Sequence, residues 1–366
     1  MEIGVLGSGG ARGWPEPGCR CASCLRAGRQ RIARAPSRLS VDGVLRLEGP
    51  RVAGPGSAAA EWDDGTERQL SGYLVRRLRG GWDVTAPDRT RLLAAAGAVT
   101  DGTAPAVPPG ARYDAALLDL LGHPAQLGWL RACGAVHPGT LVAAVPADHR
   151  AFDARELARR CQIWRAVLPR DGDTLTVPPP GRAPAAPPGP CRVLVLGGAG
   201  SGKSAEAERR VAAEPEVTYI ATGPPAAPGD AEWAARVARH RARRPGWWRT
   251  AETTDLAGVL AQAHGAVLVD SITTWLAAAM DDCGAWDGTP GPAGLLAGRI
   301  AGLVAAWRGA GAYVVAVSDE TGLGIVPETT AGRLFRDELG RLNQLLAAES
   351  DEVIIVVAGR TVLLSG

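Results

Sequence analysis

The chain is almost without lysine: among 366 residues carrying 40 strongly basic side chains, Lys203 is the single lysine and every other is arginine. It also lacks any run of about eighteen apolar residues, which excludes a transmembrane helix by the usual length argument. Met1 to Gly10 reads as a strand running into a glycine turn, not as a charged leader with an apolar core and a cleavage site. The expectation is a soluble, cytoplasmic protein. A net charge of +2 gives no general basic excess, which argues against a broad nucleic-acid binder. Seven cysteines, an odd number with three of them close together, do not form a paired disulfide framework and favour a reducing compartment.

What is present begins with length. The chain is long enough for about two domains, each able to bury its own core. Val177 to Pro190, VPPPGRAPAAPPGP, is a proline, alanine and glycine segment that supports neither helix interior nor sheet ladder, so it reads as a semi-rigid linker. The expected organisation is therefore a first domain over 1–176, a linker over 177–190 and a second domain over 191–366. No internal repeat is visible.

The lone lysine sits in Cys191 to Ser204, CRVLVLGGAGSGKS. Gly197, Gly202, Lys203 and Ser204 satisfy the spacing of a phosphate-binding loop, with Val193 to Leu196 as the strand before it and Ala205 to Ala213 as the helix after it. Glycines let backbone N–H groups turn onto phosphate oxygens, and the helix N-terminus adds partial positive charge. A compact ammonium fits between phosphate oxygens where a planar guanidinium would not. Ser204 is the candidate Mg²⁺ hydroxyl, and Gly198, Ala199, Gly200 and Ser201 complete the loop.

Beyond the loop, Glu216 to Ala221 reads as a buried strand ending in Thr222-Gly223, and in an open α/β sheet such strand ends line the ligand crevice. A helix is expected from Asp230 to Arg244. Arg236, His240 and Arg243 fall on one face of it, with Arg239, Arg241 and Arg244 widening a basic stripe. Such a stripe is ordinarily a solvated face; near a triphosphate it becomes a phosphate clamp, and it favours a neutral, nucleophilic His240. Ala266 to Val269 is a third strand ending in Asp270, the expected Mg²⁺-organising acid. Ala312 to Val317 is a fourth strand, followed by a polar flap from Ser318 to Pro327 placed to face substrate. A patterned helix over Thr330 to Ser350 and strands at Val353 to Val357 and Val362 to Leu364 complete an α/β domain with a mainly parallel sheet.

GGAGSGKS, TYIATG, ARHRARRPGWWRTAE, LVDSITTWL, VSDETGLGIVP, GRLFRDELGRLNQ and DEVIIVVAG occur in this order, and residues 191 to 366 resemble the bifunctional adenosylcobinamide kinase/adenosylcobinamide-phosphate guanylyltransferases of cobalamin biosynthesis. The resemblance implies a RecA-like P-loop core. It implies phosphorylation of the aminopropanol hydroxyl of adenosylcobinamide by ATP or GTP, then transfer of GMP from GTP to give adenosylcobinamide-GDP. It implies His240 as the nucleophile that carries GMP, with Lys203 acting on the phosphates and Ser204 and Asp270 organising Mg²⁺. Ala221, Thr222, Gly223, Arg241, Ala242, Arg243, Arg244 and Glu252 complete the implied guanine-nucleotide site, and a homo-oligomer is implied as well. The chain departs from the family pattern at Gly200, where arginine is usual, and at Asp319, where asparagine is usual. A second reading is a nucleotide-binding assembly or regulatory protein whose catalysis has decayed.

In the first half, Cys19, Cys21 and Cys24 lie on one short loop; three thiolates and one distant histidine make a tetrahedral Zn²⁺ site, and free thiols are the alternative. His123, His137 and His149 are the candidate fourth ligands; His123 and His137 each stand before a proline in an expected turn, where a plain loop position is expected over a ligand role. Cys133, Cys161 and Cys191 read as small buried residues. LGSGG, WPEP with CRCASC, SVDGVLRLEGP and VAAVPADHR resemble a shortened metallo-β-lactamase-like αβ domain of the phosphodiesterase branch. That superfamily's His-x-His-x-Asp-His signature is absent from this sequence. The domain is therefore expected to be non-catalytic, and a phosphodiesterase activity is disfavoured.

Overall fold

The computed structural model describes residues 1–56, 58–95, 107–177, 191–223, 235, 238 and 241–365. The chain divides into two compact units, Met1–Pro187 and Pro188–Gly366. Apart from Val177, the expected linker lies outside the described residues.

The first unit contains β1 (Glu2–Gly7), α1 (Ala22–Arg29), β2 (Arg38–Val41), β3 (Leu45–Glu48), β4 (Arg51–Ala53), β5 (Ala60–Glu61), β6 (Glu67–Leu70), β7 (Tyr73–Leu78), β8 (Gly81–Thr85), β9 (Arg91–Ala95), β10 (Ala115–Leu118), α2 (Ala125–Ala132), β11 (Leu141–Ala144), α3 (Ala154–Ile163) and β12 (Thr174–Thr176). Two six-stranded sheets form, in the orders β12-β1-β2-β3-β4-β5 and β11-β10-β9-β8-β7-β6. Strands β1 to β3 alternate buried and open positions, the period expected of a sheet with one face on the core. Val5, Val41 and Leu47 from one sheet and Val75, Val84 and Leu117 from the other share a single core. AALL in β10 and LVAA in β11 are buried throughout and run parallel to their neighbours, the pattern of strands covered on both faces. Cys161 is buried and Cys191 half-buried, but Cys133 is exposed, against expectation. It caps the C-terminus of α2, and the chain turns away at once through Gly134 at φ 75°, so no core is left for it to enter.

The second unit contains β13 (Cys191–Gly197), α4 (Lys203–Val211), β14 (Val217–Ala221), β15 (Arg249–Glu252), α5 (Leu256–Ala261), β16 (Ala266–Asp270), α6 (Ile272–Cys283), α7 (Pro290–Gly309), β17 (Tyr313–Asp319), α8 (Thr330–Ala348), β18 (Glu352–Val357) and β19 (Arg360–Ser365). Its seven-stranded sheet has the order β15-β14-β16-β17-β13-β18-β19, parallel except for the last strand. Leu194 and Leu196 of β13 share a core with Leu276 of α6, Leu303 of α7 and Leu339, Leu342 and Leu346 of α8. Ser271 caps α6 reciprocally with Thr274, and Gly284 closes that helix at φ 65°. The strand order matters for the site: β17 lies between the strand feeding the glycine loop and the strand ending in Asp270.

Candidate functional site

The C-terminal strand ends bring the predicted residues to one edge of the sheet. Gly197 lies opposite Asp319 in the β13–β17 register, Asp270 lies opposite Val317 and Ala221, and Ala221 lies opposite Glu252. The glycine loop joins β13 to α4, with Gly198, Ala199 and Gly200 exposed on its rim. Gly197 admits no other residue, because a Cβ there would stand 2.5 Å from Ser201 Oγ and 2.7 Å from the Val356 carbonyl. Gly202 starts α4 at φ 98°, a left-handed conformation that side chains resist. Gly359 N–H donates to the Ser201 carbonyl at 2.8 Å, so the β18–β19 turn buttresses the loop. Ser201 Oγ is buried with no hydrogen-bond partner among the described residues.

Lys203 is 7% exposed. Its ammonium donates to the Gly198 carbonyl at 3.2 Å and pairs with Asp319 Oδ1 at 2.6 Å. Asp319 is held in turn: its N–H donates to Thr273 Oγ1 at 2.8 Å, and its carbonyl accepts from Asn343 Nδ2 at 3.0 Å. Asn343 Oδ1 also accepts from Ser318 Oγ at 2.6 Å, so one buried amide of α8 fixes the end of β17.

Asp270 Oδ2 accepts a 2.7 Å hydrogen bond from the buried Tyr219 hydroxyl. Burial and then the Asp270 charge push the Tyr219 phenol far above its ordinary range, so it stays a donor. Arg244 stacks over the Tyr219 ring at 3.5 Å. Thr222 is buried; its Oγ1 donates to the Ser271 carbonyl at 2.6 Å and accepts from Ser271 N–H at 2.9 Å. Gly223 continues this edge. Arg241 pairs with Glu252 at 2.7 Å and Arg243 with Glu208 at 3.0 Å, and Ala242 lies between them on an exposed helical segment. His240, Arg236 and Arg239 lie outside the described residues. Ser204 is half-buried at the start of α4. A serine hydroxyl and a carboxylate form a hard oxygen donor set that suits Mg²⁺.

Sequence reasoning did not single out Tyr219, Thr222 as a hydrogen-bond hub, Thr273 or Asn343 as parts of this edge. TYIATG and LVDSITTWL held a readable hint: hydroxyls directly after apolar strands at the end where ligands bind.

A second cluster lies in the first unit. Cys19, Cys21, Cys24 and His149 bring four ligand atoms within 4.8 Å of one another. His149 Nδ1 is 3.8 Å from Cys19 Sγ and 3.6 Å from Cys24 Sγ, against about 3.5 Å expected between ligands of a tetrahedral zinc. Cys21 is the N-cap of α1, where the Cys24 N–H donates to its sulfur at 3.4 Å and holds its thiol below the usual range. Burial pushes the Cys24 thiol up to about 11. His123 and His137 do not join the cluster; His137 Nδ1 accepts from Gly139 N–H in its own turn.

The family described as cobinamide kinase / cobinamide phosphate guanyltransferase matches residues 193–364. The bifunctional adenosylcobalamin biosynthesis protein CobU of Salmonella typhimurium is 41% identical over 182 residues, which is 46% of this chain and 96% of that protein. The chain belongs to this family. CobP of Pseudomonas aeruginosa, likewise a bifunctional adenosylcobalamin biosynthesis protein, is 42% identical over 183 residues, 48% of this chain and 98% of that one. The cobinamide kinase/guanyltransferase match is thus confined to the second unit. Among solved structures, Zn²⁺-bound PqqB from Methylobacterium extorquens aligns at 13% identity over 48% of this chain and all of that one, with a TM-score of 0.33. A prototypical ATPase from a bacterial type III secretion system aligns at 15% identity over 45% of this chain and 51% of that one, with a TM-score of 0.30. Neither overlap is close enough to bear on the fold of either unit. Among the described residues, no helix is long and apolar enough to cross a membrane.

Proposed function

We propose that this chain carries out both reactions of its family on adenosylcobinamide: phosphorylation of the aminopropanol hydroxyl by ATP or GTP, then guanylylation from GTP to adenosylcobinamide-GDP. The observation that carries this reading is the buried Lys203 on a glycine loop, paired to an anion at the sheet edge that also bears Asp270.

In the first reaction the nucleotide phosphates lie in the loop from Gly197 to Ser204, and Lys203 exchanges the Asp319 carboxylate for phosphate oxygens. The substrate hydroxyl oxygen attacks the γ-phosphorus and releases its proton to solvent, and the nucleoside diphosphate leaves. A new O–P bond forms as the bond to the β-phosphate oxygen breaks. Ser204 and Asp270 would hold Mg²⁺, which offsets phosphate charge when bound.

In the second reaction a His240 ring nitrogen attacks the α-phosphorus of GTP, forming a P–N bond as pyrophosphate departs. The phosphate oxygen of adenosylcobinamide-phosphate then attacks the same phosphorus and the P–N bond breaks. Arg241, Arg243 and Arg244 frame the phosphates, and Ala221 to Gly223, Ala242 and Glu252 complete the nucleotide site. A homo-oligomer is part of this reading.

For residues 1–176 we propose a non-catalytic, shortened metallo-β-lactamase-like unit whose Cys19, Cys21, Cys24 and His149 hold a structural Zn²⁺. The four converging ligand atoms support the metal. Incubation of the full chain with adenosylcobinamide and ATP, then with GTP, tests the enzymatic reading by mass spectrometry of the corrinoid. Sequential gain of phosphate and GMP is expected, whereas nucleotide binding without either product supports decayed catalysis.

A further inference from the structure

Resting on that reading, we infer that the flap after β17 is the platform on which the corrinoid sits, with Leu323, Ile325 and Val326 against the apolar face of its macrocycle and Arg341 and Gln344 on its peripheral amides. The three aliphatic side chains are 79%, 95% and 59% exposed, within one short loop. Covering apolar surface is favourable, so three neighbouring aliphatic side chains left in water offer a face for an apolar ligand.

This loop is held in place beneath its apolar tip. Glu320 N–H donates to the Gly197 carbonyl at 3.2 Å, tying the flap root to the phosphate loop. Gly322 N–H donates to Glu320 Oε1 at 3.1 Å, inside a 3₁₀ turn over Thr321–Leu323. From α8, Arg336 Nη2 donates to the Gly322 carbonyl at 3.2 Å, and Arg333 Nη1 donates to the carbonyls of Pro327 and Glu328 at 3.1 and 2.6 Å. Polar groups thus fix both ends and the apolar side chains alone are left outward.

Beside the flap, a cleft of about 550 Å³ runs along α8, with Glu320 and Gly322 on its wall and the exposed Arg341 and Gln344 within it. The substrate named for this family has complementary chemistry: a broad macrocycle with apolar faces, a rim of carboxamides and a hydroxyl on a flexible arm. A glutamine amide pairs with a carboxamide through both donor and acceptor, and a guanidinium donates to its carbonyl. Because the flap begins one residue after Asp319, which touches Lys203, a macrocycle resting on it can send its arm to the phosphoryl donor. A second copy of the chain would need only the apolar tip and would leave the amide-matching cleft unexplained.

The test uses the full chain and two variants, one with Leu323→Ser, Ile325→Ser and Val326→Ser together, the other with Arg341→Ala and Gln344→Ala. All five side chains are exposed, so the fold should persist, and circular dichroism checks it. Expected is a tenfold or greater rise in KM for adenosylcobinamide in the kinase reaction for each variant, with formation of the GMP adduct from GTP alone unchanged. Unchanged KM in both variants overturns the inference, as does a lowered oligomeric mass with unchanged KM, which would assign the patch to a second copy. If wild type forms no corrinoid product, the functional reading fails separately. Direct binding of cobinamide, followed by its visible absorption, then decides: loss in the variants supports the platform and equal binding overturns it.

Discussion

Lys203 at the start of α4 and Asp319 at the end of β17 are joined by a 2.6 Å ion pair, with the lysine side chain 9% and the aspartate 26% exposed. The ammonium that is expected to grip phosphate is thereby already gripped by a carboxylate of its own chain. Asp319→Asn removes that competitor and keeps an isosteric side chain. Nucleotide binding measured by calorimetry with MgGTP should tighten about tenfold, or about 1.4 kcal/mol. Weaker binding in the variant would mean that Asp319 assists the nucleotide instead of competing with it. Lys203→Met should lose nucleotide binding in either case.

The Cys19, Cys21, Cys24 and His149 cluster should hold one zinc per chain by elemental analysis of metal-loaded protein. Cys24→Ser and His149→Ala should each abolish the stoichiometric metal. Chelation should lower the melting temperature of wild type and leave that of the variants alone, because a ligand that binds only the folded state stabilises it by mass action. Equal melting temperatures with and without chelator in wild type would remove the structural role.

Arg210 is 2% exposed and bridges Glu352, at 2.6 and 2.8 Å, to the equally buried Glu206 at 3.2 Å. Glu206 is also paired with Arg209. Arg210→Ala leaves buried carboxylate charge without its main partner and should cost about 3–5 kcal/mol in urea unfolding of the second unit. Arg210→Met fills the volume but not the charge, so it should cost nearly as much.

Asp171 gives the first unit an acid-sensitive tie. Its carboxylate accepts from Ser8 N–H at 2.7 Å, from Ser8 Oγ at 2.6 Å and from Ala35 N–H. Burial raises its pKa, but these donors outweigh burial and leave it below the ordinary carboxylate range. A depressed folded value stabilises above the unfolded value of about 4 and ceases to do so as pH falls through the lower folded value. Wild type should therefore lose this contribution only below about pH 4, while Asp171→Asn should be less stable at neutral pH by about 1 kcal/mol and flatter in acid.

The phosphate loop was legible in the sequence because its glycines answer backbone demands: Gly197 has no room for a Cβ and Gly202 has φ 98°. The parallel sheet was legible because β13, β14, β16, β17 and β18 are short apolar runs with helix-length segments between them. The pairing of Lys203 with Asp319 was not, since nothing local reveals that β17 inserts beside β13. His149 is a partial case: His123 and His137 each precede a proline and read as turn residues, which leaves His149, but only the fold returns it to the cysteine loop. Cys133 misled because a small thiol reads as core, whereas its position at a helix cap leaves it exposed.

The most direct measurement is the intact mass of the full chain after incubation with GTP and Mg²⁺, for wild type and His240→Ala. A gain of one GMP on wild type, absent from the variant, is the predicted result and assigns the guanylyl carrier to His240. A folded wild type that binds GTP and gains no mass would contradict the account.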